Sequence, residues 1–262
     1  MKKRFAGLLI ALLTTIIPPT IYGEEHEVLI GRVFDWPPFY YLENGVWNGS
    51  SVDAYRALAD EAGIKLILKN IPWSRALRDM GLKHIVIADL TPTEERSASM
   101  YFFGPHDNET MGVALSIKYK NEKIESLDDL VKLARKSNRK VIYQQDYFFS
   151  DEFNTRIASD KLFAANFKKK ASLLKNSIRL VAENKYLGYM EDKRSIVFLI
   201  KSKNLTDTVF VHNYNLSQSQ VYMGVSKTIS DDMYKKLKKA DEKLKKNNIY
   251  KKLQKKWLSH QQ

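Results

Sequence analysis

Apolar runs of two lengths alternate along the first ninety residues after a hydrophobic leader. Val28–Val33 and Ile85–Ala88 are short and rich in β-branched residues, and Lys65–Asn70 carries apolar Leu66, Ile67 and Leu68, which predicts strands at all three. Between them, Val52, Tyr55, Leu58, Ala59 and Ala62 recur at helical spacing. That helix is expected to be capped by Asn48-Gly49-Ser50-Ser51 and ended by Gly63. A second helix opens at Pro72-Trp73, where proline's missing N–H costs nothing, and ends at Gly81. Strand, helix, strand, helix, strand is the pattern of a mostly parallel sheet with helices on its faces. Prolines in Trp36-Pro37-Pro38-Phe39 forbid regular structure and set an aromatic loop after the first strand, and Asn44-Gly45 is a turn.

A second unit begins near Met111. Strands are expected at Val113–Ile117, Lys140–Tyr143, Tyr186–Met190, Val209–Val211 and Gln220–Val225. Helices are expected after Ser126, near Ser150, over Ser172–Ala182 and over Asp192–Lys201. Ser159–Lys170 matches neither period. Two lysine-rich helices close the chain, from Ser230 and from Ile249 to Trp257.

In open parallel sheets ligands bind beyond the carboxyl ends of strands. Trp36, Trp73 and the turn Asp89-Leu90-Thr91-Pro92-Thr93-Glu94-Glu95-Arg96 each follow a predicted strand, so they converge on one edge. Arg96 could be a surface arginine answering Glu94 and Glu95. Placed behind hydroxyls and beside two tryptophans, its planar fork suits a carboxylate.

Composition narrows the classes. Lys2, Lys3 and Arg4 precede an apolar run to Ile17, then Pro18-Pro19 and Gly23, which is the build of a cleaved secretory signal over residues 1–23. Cleavage leaves 239 residues with no cysteine, so neither a disulfide scaffold nor a thiol nucleophile is available. The net charge of +13 falls to +10, because the leader carries three positive charges and no negative ones. Twelve lysines lie between Lys227 and Lys256, interleaved with Leu237, Leu244, Ile249, Leu253 and Trp257 at helical spacing. They read as the wet side of packed helices, not as a nucleic-acid surface. Five scattered histidines offer no metal spacing, and no phosphate- or dinucleotide-binding motif is present. No cofactor, metal or nucleic-acid partner is expected.

Five pieces in order carry a resemblance: Trp36-Pro37-Pro38-Phe39, Asn48–Asp53, Thr91–Arg96, Ser126–Leu130 and Ile249–Trp257. Together they are similar to the amino-acid-type periplasmic solute-binding proteins of bacterial family 3, in a divergent form. The resemblance spans the mature chain. It implies an α/β fold of two lobes with mostly parallel sheets and two hinge crossovers, near Gly112–Ile117 and Gln220–Val225. Lobe one would hold 24–111 plus 218–262 and lobe two 112–217. It further implies a periplasmic monomer that binds a small amino acid, organic anion or zwitterion and delivers it to the membrane subunits of an ABC transporter.

By that resemblance Arg96 pairs with the ligand's carboxylate, Trp36 and Trp73 flank it, Asp89 and Thr91 meet its backbone groups, and Asp192 takes its ammonium. Asp192 also suits the N-cap of the following helix. One stretch departs from the family pattern. Gln145-Asp146-Tyr147-Phe148-Phe149 lacks the expected glycine and adds a negative charge, and Tyr147 and Phe148 would line or narrow the cleft. Two alternatives share the fold: a secreted dehydratase using Glu191, Asp146 or Asp89 as acid or base, and a free sensory subunit. Arg75 is a further candidate anion contact, balanced against a helix-surface role.

Overall fold

The computed structural model describes residues 27–145, 147–170 and 174–259. The leader at 1–23, Asp146 and the expected helix start at Ser172 lie outside the described residues. In chain order the first elements are β1 (Val28–Val33), β2 (Tyr41–Glu43), β3 (Val46–Asn48), α1 (Ser50–Ala62), β4 (Lys65–Asn70), α2 (Trp73–Asp79), β5 (Ile85–Leu90), α3 (Glu94–Ser99) and β6 (Met100–Ser116). Then follow α4 (Leu127–Ser137), β7 (Val141–Gln144), α5 (Asp151–Ser159), α6 (Lys161–Ala164), β8 (Phe167–Lys170), α7 (Leu174–Ala182), β9 (Gly188–Asp192) and α8 (Lys193–Ser202). The chain closes with β10 (Val209–Val211), β11 (Ser217–Ser226), α9 (Asp231–Lys246) and α10 (Ile249–Ser259).

Among the described residues one mixed sheet runs β4-β1-β5-β11-β6-β9-β7-β8, with β10 beside β6. β1 is parallel to β4 and β5, and β7 is parallel to β8 and β9. The two parallel groups are joined by β6 and β11, which pair antiparallel from Ser217 opposite Met111 to Ser226 opposite Met100. Beyond Met111, β6 leaves β11 and pairs with β9.

Period-two alternation buries both faces at each end of the sheet. In β5, Val86 and Ala88 join Leu29, Tyr55, Leu58 and Leu237 beneath α1 and α9, while Ile85 and Ile87 join Ala76 and Met80 beneath α2. In the second group, Val141 and Met190 face α4 with Leu127 and Leu130, while Ile142 and Tyr189 face α8 with Ile196 and Leu199. The lysines of α9 point to solvent because Met233, Leu237, Ala240 and Leu244 form its buried stripe.

Three sequence expectations are revised. The hinge strand β6 starts at Met100, not at Gly112, because the polar run Asp107-Asn108-Glu109-Thr110 is held by β11 as partner and hides the strand period. Ser159–Lys170 resolves into the end of α5, all of α6 and β8. Its Phe163 and Phe167 rings, 4.7 Å apart, close an aromatic cluster with Phe153. Finally, no side chain caps α1. Gly49 takes the cap position at φ 130°, and the first amides, Ser50 N–H and Ser51 N–H, donate to the Pro38 and Phe39 carbonyls. The Ser51 hydroxyl is thereby released for another use.

A Cβ at Gly49 would lie 2.0 Å from the Phe39 carbonyl oxygen, with a backbone φ that side chains rarely adopt. Gly49→Ala is expected to cost about 3 kcal/mol, a fall of roughly 6–12 °C in Tm for a domain of this size. A thermal melt followed by circular dichroism checks it; an unchanged melt would show that the loop relaxes freely.

Candidate ligand-binding site

A cavity lies beyond the carboxyl ends of β1, β4, β5 and β7. It is walled by Arg32, Phe34, Trp36, Trp73, Ala88, Asp89, Thr91, Arg96, Glu109, Tyr147 and Phe148. Seven of the eight residues expected from the sequence meet here. Asp192 does not. Its Oδ1 accepts the Arg194 and Ser195 amides at 2.8 and 3.3 Å, and its Oδ2 accepts Thr110 N–H at 3.1 Å. That carboxylate caps α8 and ties it to β6.

Asp89 sits at the end of β5 in the left-handed region, φ 59°. The Tyr40 hydroxyl donates to its Oδ2 at 2.5 Å, and the Ser51 hydroxyl reaches both oxygens at 2.8 and 2.7 Å. Burial still pushes its pKa up, against the pull of these donors and of His106. The His106 Nε2 accepts Asp89 N–H at 3.3 Å, so that nitrogen carries no proton; burial also lowers the histidine's pKa. Asp89 borders the cavity, yet its oxygens are largely occupied from within.

Arg96 is placed by α3, whose N-cap Thr93 accepts Arg96 N–H at 3.2 Å. One guanidinium nitrogen donates to the Thr91 carbonyl at 2.8 Å, and its carbon lies 5.9 Å from the centre of the Trp73 ring. Among the described residues it forms no ion pair. The Thr93 hydroxyl is spent on the cap, which leaves Thr91 as the wall residue. Arg75 is exposed and 3.9 Å from Asp79, on the helix surface.

Tyr147 stands in the middle. Its ring meets Trp36 edge-on at 6.0 Å and Trp73 at 6.1 Å, so a residue following β7 is wedged between two from the other end of the sheet. Burial drives its phenol pKa well up. The space left is a cavity of about 40 Å³, room for a few waters.

Sequence reasoning missed Arg32, Phe34 and Glu109. Arg32 did carry a signal: a charge inside the apolar strand Val28–Val33. Glu109 had none, since Asp107–Thr110 reads as a polar connection.

Behind the cavity the α8 N-terminus fastens the two ends of the molecule together. The Arg194 guanidinium donates to Asp107 Oδ2 and to the Asn108 carbonyl, each at 2.7 Å, and Ser195 Oγ donates to the Pro37 carbonyl at 2.9 Å. Beside this clasp, Glu191 accepts from the Tyr189 hydroxyl at 2.7 Å and from Asp192 N–H at 2.9 Å. Its burial nonetheless pushes its pKa up to about 7. Among the described residues no group of three or more His, Cys, Asp or Glu side chains is arranged to hold a metal ion. No described helix is long and apolar enough to cross a membrane.

A sequence profile of bacterial extracellular solute-binding proteins, family 3, matches residues 28–260. The chain belongs to this family. A family relative, the probable amino-acid-binding protein YxeM of Bacillus subtilis (strain 168), is 23% identical over 98% of this chain and 96% of its own length. Among solved structures, an ancestral arginine-binding protein bound to arginine superposes with a TM-score of 0.70. It is 23% identical and covers 88% of this chain and 97% of that one. A structure described with glutathione import in Gram-positive bacteria, via GshT and the cystine ABC importer TcyBC of Streptococcus mutans, gives 0.71 at 19% identity. It covers 89% of this chain and 95% of its own. These two likenesses establish the fold, the two-lobed α/β architecture of family 3, and its relatives are mainly binding proteins.

Glu191 makes the fold pH-dependent. Its folded pKa lies above the ordinary carboxyl value of 4.5. Between that value and about 7 the folded chain therefore holds a proton that the unfolded chain has lost, and stability falls as pH rises through the window. The full penalty, about 3 kcal/mol at most, is reached above neutrality. Glu191→Gln keeps an acceptor for Tyr189 and removes the titration. Urea unfolding at pH 5 and pH 8 is expected to show the wild type losing on the order of 2–3 kcal/mol more than the variant; parallel losses would place the titration elsewhere.

Proposed function

We propose that this family-3 protein binds a small amino-acid-like solute in the cavity between its two lobes and presents it to an ABC transporter. Arg96 carries the reading. It is a half-buried guanidinium on a cavity wall, seated over Trp73, with hydrogen-bonding capacity left over and no ion pair among the described residues. A planar fork in that state matches a ligand carboxylate in two charge-assisted bonds. The family of extracellular binders and the printed description of YxeM support the amino-acid class.

Lobe one is taken as 24–111 plus 218–262 and lobe two as 112–217, with β6 and β11 as the flexing connections. Their antiparallel pairing is the sort of element that absorbs a hinge rotation. The closed state has Tyr147 between the tryptophans and Arg194 on Asp107, so an incoming ligand enters as the second lobe swings Tyr147 away. Trp36, Trp73 and Phe148 then flank the solute, Thr91 meets its polar backbone, and Asp89 holds the floor. Secretion by the leader at 1–23 into the periplasm, and action as a monomer, complete the reading.

A thermal-shift screen of amino acids and organic acids, followed by calorimetry on the hits, tests it. Arg96→Ala is expected to weaken a carboxylate ligand about 10- to 100-fold, the loss of one charge-assisted pair. A hit with undiminished affinity in that variant would remove Arg96 as the anchor, and turnover of a hit into product would replace binding by catalysis.

A further inference from the structure

Arg32 is the cavity residue that a single carboxylate contact leaves unused. It is 3% exposed, and its Nε donates to the Ile71 carbonyl at 3.0 Å. Its guanidinium carbon lies 3.9 Å from the Phe34 ring centre and 5.0 Å from that of Trp73. The ring faces offset part of the cost of burying a charge, but not the missing counter-ion. Among the described residues Arg32 makes no ion pair. Asp89, whose charge it feels, gives its oxygens to Tyr40 and Ser51.

Arg194 shows how this fold matches a half-buried arginine away from the cavity wall. That guanidinium is matched by Asp107, by the Asn108 carbonyl and, at 3.5 Å, by Asp192. Arg32 has no such match. The Trp73 indole N–H is also buried, with no acceptor among the described residues. Both guanidiniums lie within 6 Å of the centre of that one indole, close enough for a single small molecule to reach both. One carboxyl on the same cavity wall, Glu109, has no hydrogen-bond donor among the described residues and feels the acids Asp192, Asp89 and Glu191 more than the cation Arg194.

We infer that the cavity takes an acidic amino acid, with Arg96 on one carboxylate, Arg32 on the other and Glu109 on the ammonium. Burial beside other acids pushes the Glu109 pKa well up, so an arriving ammonium supplies the counter-charge that lets this carboxyl ionise. Two cations and one carboxyl on the walls then meet two anions and one cation on the ligand, and each open group gains a partner. The inference rests on the proposed function, since it assumes that this cavity is the ligand site.

Calorimetry at neutral pH on the purified protein tests it with L-glutamate, L-aspartate, their amides L-glutamine and L-asparagine, and the plain dicarboxylate glutarate. The acids are expected to bind at least about tenfold more tightly than the amides, and glutarate more weakly than the acids, as one charge-assisted pair is worth roughly that factor. Arg32→Gln keeps a donor for the Ile71 carbonyl and loses the charge; it is expected to bring acids and amides to equal affinity. Amides binding as tightly as acids in the wild type would overturn the inference without any variant, as would preserved discrimination in a folded Arg32→Gln. Glutarate matching glutamate would remove Glu109 from the role. If neither acids nor amides bind but an unrelated solute does, this inference falls alone; if nothing in the wider screen binds, the proposed function falls with it.

Discussion

The buried carboxylate of Asp89 is the point from which the rest of the site is laid out. Its two oxygens draw in Tyr40 from the aromatic loop and Ser51 from the start of α1, while its own N–H reaches His106 on β6. Three separate segments thus meet at the end of β5. Next to it the Tyr55 hydroxyl accepts Ala88 N–H at 2.7 Å and donates to the Arg32 carbonyl at 2.9 Å, locking β1 to β5 through α1. A charge buried this deeply is tolerated only while its donors stay in place, so the network is rigid by necessity. That rigidity fixes where Arg32, Trp36 and Thr91 stand around the cavity.

Two kinds of buried or half-buried charged group share this small region. The structural kind is satisfied: Asp89 by hydroxyls, Asp192 by three amides, Arg194 by Asp107. The other kind is left open: Arg32, Arg96 and Glu109 all border the cavity without an ion pair among the described residues. Because low dielectric magnifies both the cost of an open charge and the gain when it is matched, the open set is where a charged solute gains most. Glu191, raised to about 7, adds a sensitivity to pH on β9, beside its partner strand β6.

Much of this was legible along the chain. Apolar runs of strand length alternating with helical periods specified the α/β class, and the rule that ligands meet strand ends gathered Trp36, Trp73, Thr91 and Arg96 at the edge where the cavity lies. Ser126 and Ser150 cap their helices through the amides three residues on, as their positions imply. The hairpin turn at Asn44-Gly45 has the two positive φ values, 49° and 78°, that this residue pair supplies. These features depend on neighbours within a few residues, and local chemistry carries them.

What only the tertiary structure decided depends on partners far along the chain. The β6 strand over Met100–Met111 exists because β11, more than a hundred residues later, supplies its hydrogen bonds; its own polar residues conceal it. Asp192 was suited equally to a ligand and to a helix cap, and the approach of Thr110 from the hinge strand fixed the second role. Arg32 and Glu109 entered the cavity wall because strands distant in sequence converge there. Sequence alone specified which elements form and which edge of the sheet they face; the state of each charge, matched or open, was set by which distant donors and acceptors the fold brought within reach.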